Sequence, residues 1–193
     1  HRMWGKVLSR LRWACVTLVR QGLRWDPVTR RRLRGGRGVL LGTRTGGWRV
    51  PERFLTPAMT VISAGVGEEI SFDRHLLNRV PEARVTALDP TPRAVEVGEA
   101  GAAELPGFSF VALGLWDKDG DQVFHAPRNP DHVSHSLVAL QGESPGFSAR
   151  CVCWKTLLQE LSLETVDFLK MDIEGAEYRV IADLLTSGPL PRV

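Results

Sequence analysis

The chain has 193 residues, 43% of them hydrophobic, and a formal net charge of +3. Such a length favours one domain with a core of its own, and the composition is that of an ordinary soluble globular protein. No apolar run approaches the ~20 residues of a membrane-spanning helix; the early candidate from Trp13 to Val19 is cut by Arg20 and lacks a small-residue cleavage pattern, so it is a poor signal peptide.

The modest net charge conceals two unlike segments. Residues 1–53 hold 14 of the 25 Lys and Arg and 2 of the 22 Asp and Glu, a net of +12. The remaining residues hold 11 and 20, a net of −9. A basic leader therefore precedes an acidic body. Three cysteines, Cys15, Cys151 and Cys153, are too few for a disulfide framework. The Cys151-x-Cys153 pair has no partner pair at zinc-finger spacing, so no metal site is expected and the thiols read as small core residues. A reducing, cytoplasmic setting fits.

Along residues 3–25, Trp4, Val7, Leu8, Leu11, Cys15, Leu18 and Trp25 share one helical face, while Arg2, Lys6 and Arg10 recur on another. A helix packed on the domain with a solvated basic face is favoured over one lying on an anionic membrane surface. Arg30 to Arg32 and Arg34 lead into Gly35-Gly36, a linker. The acidic body continues no basic track, so no nucleic-acid partner is expected. Residues 39–55 are glycine-rich and read as a hairpin ahead of the main fold. The domain boundaries follow: a basic helical leader with linker and hairpin over 1–58, and the main domain over 59–193.

The main domain alternates strand and helix. Strands are expected at Thr60–Ala64, Arg84–Leu88 and Phe108–Leu113, with helices at Ile70–Val80 and from Pro92 to about Glu104. Thr91 is the expected cap of the second helix, with Pro92 at its first position. Leu115-Trp116, a turn at 117–121 and Gln122–His125 read as strand, turn and strand. Asp117-x-Asp119-x-Asp121 fails as a calcium loop, because Gln122 and Arg128 stand where glycine and glutamate are required. A polar loop through Asn129 to His135 precedes a strand at Ala149–Trp154, a helix near Thr156–Leu161, a strand at Val166–Met171 and a helix at Ala176–Leu185. This alternation marks an α/β fold with a parallel sheet and right-handed crossovers.

Ligands of such sheets sit outside the C-terminal strand tips, and four groups of residues gather there. Gly65-x-Gly67 follows the first strand, where a cofactor must approach the backbone closely. Position 70 is Ile, so the third glycine of a dinucleotide fingerprint is missing. Glu68 and Glu69 would repel a pyrophosphate but tolerate a sulfonium ligand with an ammonium group. Asp89 closes the second strand, 24 residues beyond Gly65, where an acid bonds ribose hydroxyls. Asp172 and Glu174 end the strand expected beside the first one; they could hold a cofactor, orient an acceptor hydroxyl or take its proton. Glu177 falls in the first helical turn, where the helix dipole favours negative charge. The loop from Asp131 to Ser136 brings His132 and His135, side chains suited to proton transfer near neutral pH.

With these residues assembled, Lys170-Met171-Asp172-Ile173-Glu174-Gly175-Ala176-Glu177 resembles the K-(I/M)-D-(V/I)-E-G-A-E signature of the FkbM family of S-adenosylmethionine-dependent methyltransferases. Ala112-Leu113-Gly114 and Ser134-His135-Ser136 are also similar to that family. The glycine loop departs from the common G-A-N-x-G form. The resemblance covers roughly residues 60–188. It implies a Rossmann-like class I methyltransferase fold with helices on both faces of the parallel sheet, S-adenosyl-L-methionine as cofactor, and O-methylation of a hydroxyl on a small molecule or sugar. It further implies that Gly65 and Gly67 lie against the cofactor, Asp89 holds the ribose, Leu113 lies near the adenine, and Asp172 and Glu174 border the reacting methyl group. His135 or Asp172 is the candidate proton acceptor. A complete sheet of this class has seven strands, and the sequence ends near the start of the fifth; a fragment truncated after the fourth core strand and its helix is expected. The competing functions are a cofactor-binding or interaction module without turnover and, disfavoured by Ile70, a dinucleotide oxidoreductase.

Overall fold

A computed structural model of the chain describes residues 38–44, 46–125, 146–187 and 191. The leader helix expected at 3–25 and the loop carrying His132 and His135 lie outside the described residues. Strands β1 (Gly38–Leu41) and β2 (Trp48–Pro51) pair as an antiparallel hairpin. There follow β3 (Thr60–Ala64), α1 (Ser71–Arg79), β4 (Arg84–Leu88), α2 (Pro92–Glu104) and β5 (Phe108–Val111). The rest comprises β6 (Gly114–Leu115), β7 (Gly120–Phe124), β8 (Phe147–Val152), α3 (Trp154–Glu160), β9 (Phe168–Met171) and α4 (Glu177–Ser187).

The central sheet has the order β5-β4-β3-β9, with every pair parallel. Its inner strand β3, Thr-Val-Ile-Ser-Ala, is β-branched and buried on both faces, as a central parallel strand requires. Side chains alternate across the strand. Val61 joins a core with Phe72, Leu76 and Leu77 of α1 and Ala94 of α2. Ile62 and Ala64 join a second core with Trp154, Leu157 and Leu158 of α3 and Val180 and Leu184 of α4. The helices therefore cover both faces, as in a Rossmann-like methyltransferase fold. In α2, a Cβ at Gly98 would lie 2.1 Å from the Phe110 ring, so glycine there lets the helix sit close on β5.

The hairpin, placed with the leader on sequence grounds, shares the first core through Leu41 and Val50. Its turn docks on α1: Gly42 N donates to His75 Nδ1 (3.1 Å) and Thr43 N to Ser71 Oγ (3.1 Å).

The strand, turn and strand expected at 115–125 are present as β6, a turn and β7. β6 and β7 do not pair with each other; β8 lies between them, parallel to β6 and antiparallel to β7. The turn is held elsewhere. Asp119 accepts from Cys153 N (2.9 Å) and Thr156 Oγ1 (2.8 Å), which ties it to the start of α3.

Chain order runs from β3 outward through β4 to β5, then returns to place β9 on the other side of β3. That reversal is a topological switch point, where open α/β sheets bind ligands. Among the described residues β9 has β3 as its one sheet neighbour.

Candidate functional site

A cleft of about 160 Å³ opens over the tips of β3, β4 and β9. It brings together Gly65, Gly67, Asp89, Leu113, Asp172 and Glu174, six of the seven candidates read from sequence. The seventh, His135, lies outside the described residues. The volume is about half the ~300 Å³ lower end for small-molecule sites.

The two glycines have different reasons to be glycine. Gly65 adopts φ +86, and a Cβ there would stand 2.0 Å from the Asp172 carbonyl oxygen. What requires glycine at 65 is thus the neighbouring strand tip, whatever binds above it. Gly67 adopts φ +61 and is exposed, with nothing within 4 Å of a Cβ position, so its backbone is open to the cleft.

Asp89 is buried and fixes this loop. Its Oδ2 accepts from Val66 N (2.9 Å) and Gly67 N (3.0 Å), and its Oδ1 from Thr91 N (2.9 Å) and Thr91 Oγ1 (2.7 Å). These four bonds match the four acceptor positions of a carboxylate. Thr91 stands at the N-cap of α2 and Pro92 opens the helix, as expected, but the Thr91 hydroxyl is drawn to Asp89 and makes no cap bond.

At the β9 tip the chain turns sharply. Asp172 N extends the ladder to Ala64 O (3.0 Å), and Glu174 then takes φ +54, which costs a non-glycine residue about 1–3 kcal/mol. Glu177 holds the turn: its Oε1 accepts from Ile173 N and its Oε2 from Gly175 N, both at 2.8 Å. Asp172 and Glu174 are both exposed. The turn lifts them out of the sheet to the rim of the cleft.

Beneath the glycine loop lies a polar cluster that sequence reading missed. Register pairs Ser63 with Lys170, and both are buried on the α1 side of the sheet. The Lys170 ammonium donates to Gly65 O. Burial lowers its pKa, opposed by the nearby Asp73, Asp172 and Asp89 carboxylates. Asp73, 3% exposed, faces the cluster from α1. Burial pushes its pKa up to about 6, opposed by Ser63 and Lys170. Ser63 is near enough to soften that shift, yet Ser63 Oγ and Asp73 Oδ1 have no hydrogen-bond partner among the described residues. The sequence did carry a signal. Asp73 stands three residues after Ile70 and three before Leu76, on the apolar face of its helix, and Ser63 interrupts a buried strand.

The cleft is strongly acidic. Among the described residues, Glu69, Asp73, Asp89, Asp172 and Glu174 line it against one ammonium, Lys170. Glu69 is tied to the hairpin turn, accepting from Thr43 Oγ1 at 2.7 Å, and the turn adds Gly46 to the cleft wall. Ile70, where a dinucleotide fingerprint needs glycine, is a core residue. No helix among the described residues is long and apolar enough to cross a membrane.

A family model described as a methyltransferase FkbM domain matches residues 25–188, which includes the hairpin as well as the sheet. No curated protein and no solved structure matches the chain. Since the family match runs through most of the sequence and the whole central sheet, the chain belongs to the FkbM family of methyltransferases.

Proposed function

We propose that the chain is an S-adenosyl-L-methionine-dependent O-methyltransferase acting on a hydroxyl of a small molecule or sugar. The observation that carries this reading is the cleft's charge: among the described residues, five carboxylates against one ammonium, beside a glycine loop whose backbone is open at Gly67. Such a surface favours a cationic ligand and repels a pyrophosphate. The same observation disfavours a dinucleotide oxidoreductase.

The residues present fit adenosylmethionine, which supplies an electrophilic methyl group on a sulfonium when bound. In this reading Gly65 and Gly67 give it a backbone wall, and Leu113, buried at the cleft, borders the adenine. Asp89 receives a ribose hydroxyl on Oδ1 when Thr91 Oγ1 turns away. Asp172 and Glu174 stand exposed at the rim, where an acceptor enters. Either carboxylate orients the acceptor hydroxyl by accepting its hydrogen bond. Asp172 takes the proton as the oxygen is methylated, with His135 the other candidate. The remaining contribution of the protein is positioning of the two reactants.

The test is transfer of labelled methyl from adenosylmethionine to a panel of sugar and small-molecule hydroxyls. Label should enter a hydroxyl compound, and Asp172→Asn should reduce the rate by about 10²–10⁴-fold, the range for a lost general base. Cofactor binding with no transfer to any compound would instead favour the module without turnover.

A further inference from the structure

Beyond the family's signature residues, the cleft contains a buried carboxylate whose polar neighbours are Ser63 and Lys170. Asp73 sits in the first turn of α1, 3% exposed, lines the cleft, and leaves Oδ1 without a partner among the described residues. Native proteins pair the great majority of buried polar atoms, because an unpaired one forfeits its hydration without return. Here two such atoms, Asp73 Oδ1 and Ser63 Oγ, flank one cluster. The nearby Lys170 ammonium is bound to the Gly65 carbonyl. Burial opposes both charges at the floor of the cleft, pushing the Asp73 carboxyl up and the Lys170 ammonium down, while each group favours the charged form of the other. A cation offered next to an anion is the pattern complementary to a zwitterion. An α-amino acid carries an ammonium and a carboxylate two bonds apart on one carbon.

We propose that Asp73 is a ligand-binding residue that accepts a hydrogen bond from the α-ammonium group of the cofactor's amino-acid end, with Lys170 facing its carboxylate. This rests on the adenosylmethionine reading above and deepens it. Asp73 has the right chemistry: an acceptor-only group when ionised, held rigidly on a helix. Ser63 offers a second acceptor from β3. Other charged groups face the same cleft: Lys170 and Asp172 from β9, Asp89 from the end of β4, Glu69 from the glycine loop and Glu174 from the turn after β9. The rim carboxylates Asp172 and Glu174 are exposed, so water screens them more than Asp73.

The experiment compares two ligands that differ in the amino-acid end. S-adenosylhomocysteine carries it and 5′-methylthioadenosine does not. Calorimetry is run on the full chain, wild type and Asp73→Asn, between pH 5 and 8. Wild type should bind S-adenosylhomocysteine more tightly than methylthioadenosine. Asp73→Asn should weaken the first by about tenfold or more and the second by less than about twofold, since a hydrogen bond to a charged group is lost only where that group exists. In wild type, S-adenosylhomocysteine affinity should fall as the pH drops below about 6, where Asp73 takes up its proton, while methylthioadenosine affinity stays level. This wild-type measurement stands even if the variant fails to fold. Equal weakening of both ligands would overturn the proposal, because Asp73 would then merely shape the loop. So would an unchanged affinity for S-adenosylhomocysteine, or a flat pH profile in wild type. Failure of wild type to bind either nucleoside would instead overturn the cofactor reading, and this inference with it.

Discussion

Replacing the two glycines of the β3–α1 loop by alanine should separate a structural glycine from a ligand-facing one. In Gly65→Ala the new methyl would be placed 2.0 Å from the Asp172 carbonyl oxygen, where ordinary contact begins at 3.4 Å. The tips of β3 and β9 must part by more than about 1 Å to admit it. That movement strains two bonds of the tip, Gly65 N to Leu88 O (2.9 Å) and Asp172 N to Ala64 O (3.0 Å). Each contributes about 1 kcal/mol, and alanine at φ +86 costs about 1–2 kcal/mol more. The sum is about 3–4 kcal/mol, a large part of the ~5–15 kcal/mol that holds a domain together. Gly67→Ala meets nothing within 4 Å and should cost only the backbone penalty at φ +61, about 1 kcal/mol. Urea denaturation monitored by tryptophan fluorescence reads both variants. If Gly65→Ala unfolds within about 1 kcal/mol of wild type, or Gly67→Ala loses as much as Gly65→Ala, the reasoning fails.

Three further outcomes follow from the site. The Asp73 pKa, raised from its ordinary 3.8 to about 6, means that its ionised form is held at a cost. The sign is that this penalty is absent below pH ~4, grows as pH rises through about 6, and amounts to about 3 kcal/mol above that. Asp73→Asn should therefore be more stable than wild type at pH 7.5 by a few kcal/mol and equal to it at pH 4, as urea denaturation at the two pH values will show; a variant less stable at pH 7.5 would refute the burial argument. Glu177→Gln leaves one acceptor oxygen for the two amides of Ile173 and Gly175, and should cost about 1–2 kcal/mol and lower methyl transfer; unchanged stability and rate would remove Glu177 from the turn's support. Glu174→Gly suits the φ of +54 and should leave the melting temperature within about 2 °C of wild type. A lower transfer rate in that well-folded variant would assign the loss to the carboxylate, and an unchanged rate would take Glu174 out of the chemistry.

The central sheet was legible because its strands carry strong local signals. Thr60–Ala64 and Arg84–Leu88 are short apolar runs ended by glycine or Asp-Pro, and the structure places β3 and β4 over those same residues. The glycine loop, Asp89 and the β9 tip were legible for the same reason, since each follows such a run. Pairing between distant segments was legible for β9, expected beside β3 and found there, but not for the sheet of β6, β7 and β8. Nothing local in Gln122–His125 says that β8 will come between it and Leu115, because that depends on Asp119 reaching Cys153 and Thr156. Side-chain competition was equally hidden. Thr91 reads as a cap until Asp89 is seen two residues away with an oxygen to offer. The exposure of Asp172 and Glu174 was hidden too, because a left-handed residue lifts the chain off the strand, and sequence gives little hint of positive φ at a glutamate. Asp73 is hidden in sequence because an acid in the first turn of a helix reads as a solvated charge, and its burial comes from the packing of α1 on the sheet.

The claim on which everything else depends is that the acidic cleft over β3, β4 and β9 receives adenosylmethionine or its product. Calorimetry of the full chain with S-adenosylhomocysteine, and separately with NADH, tests it most directly. Saturable heat with S-adenosylhomocysteine, weakened in Gly67→Ala, and none with NADH is the expected result. Binding of NADH, or no heat with S-adenosylhomocysteine by a folded chain, would contradict it.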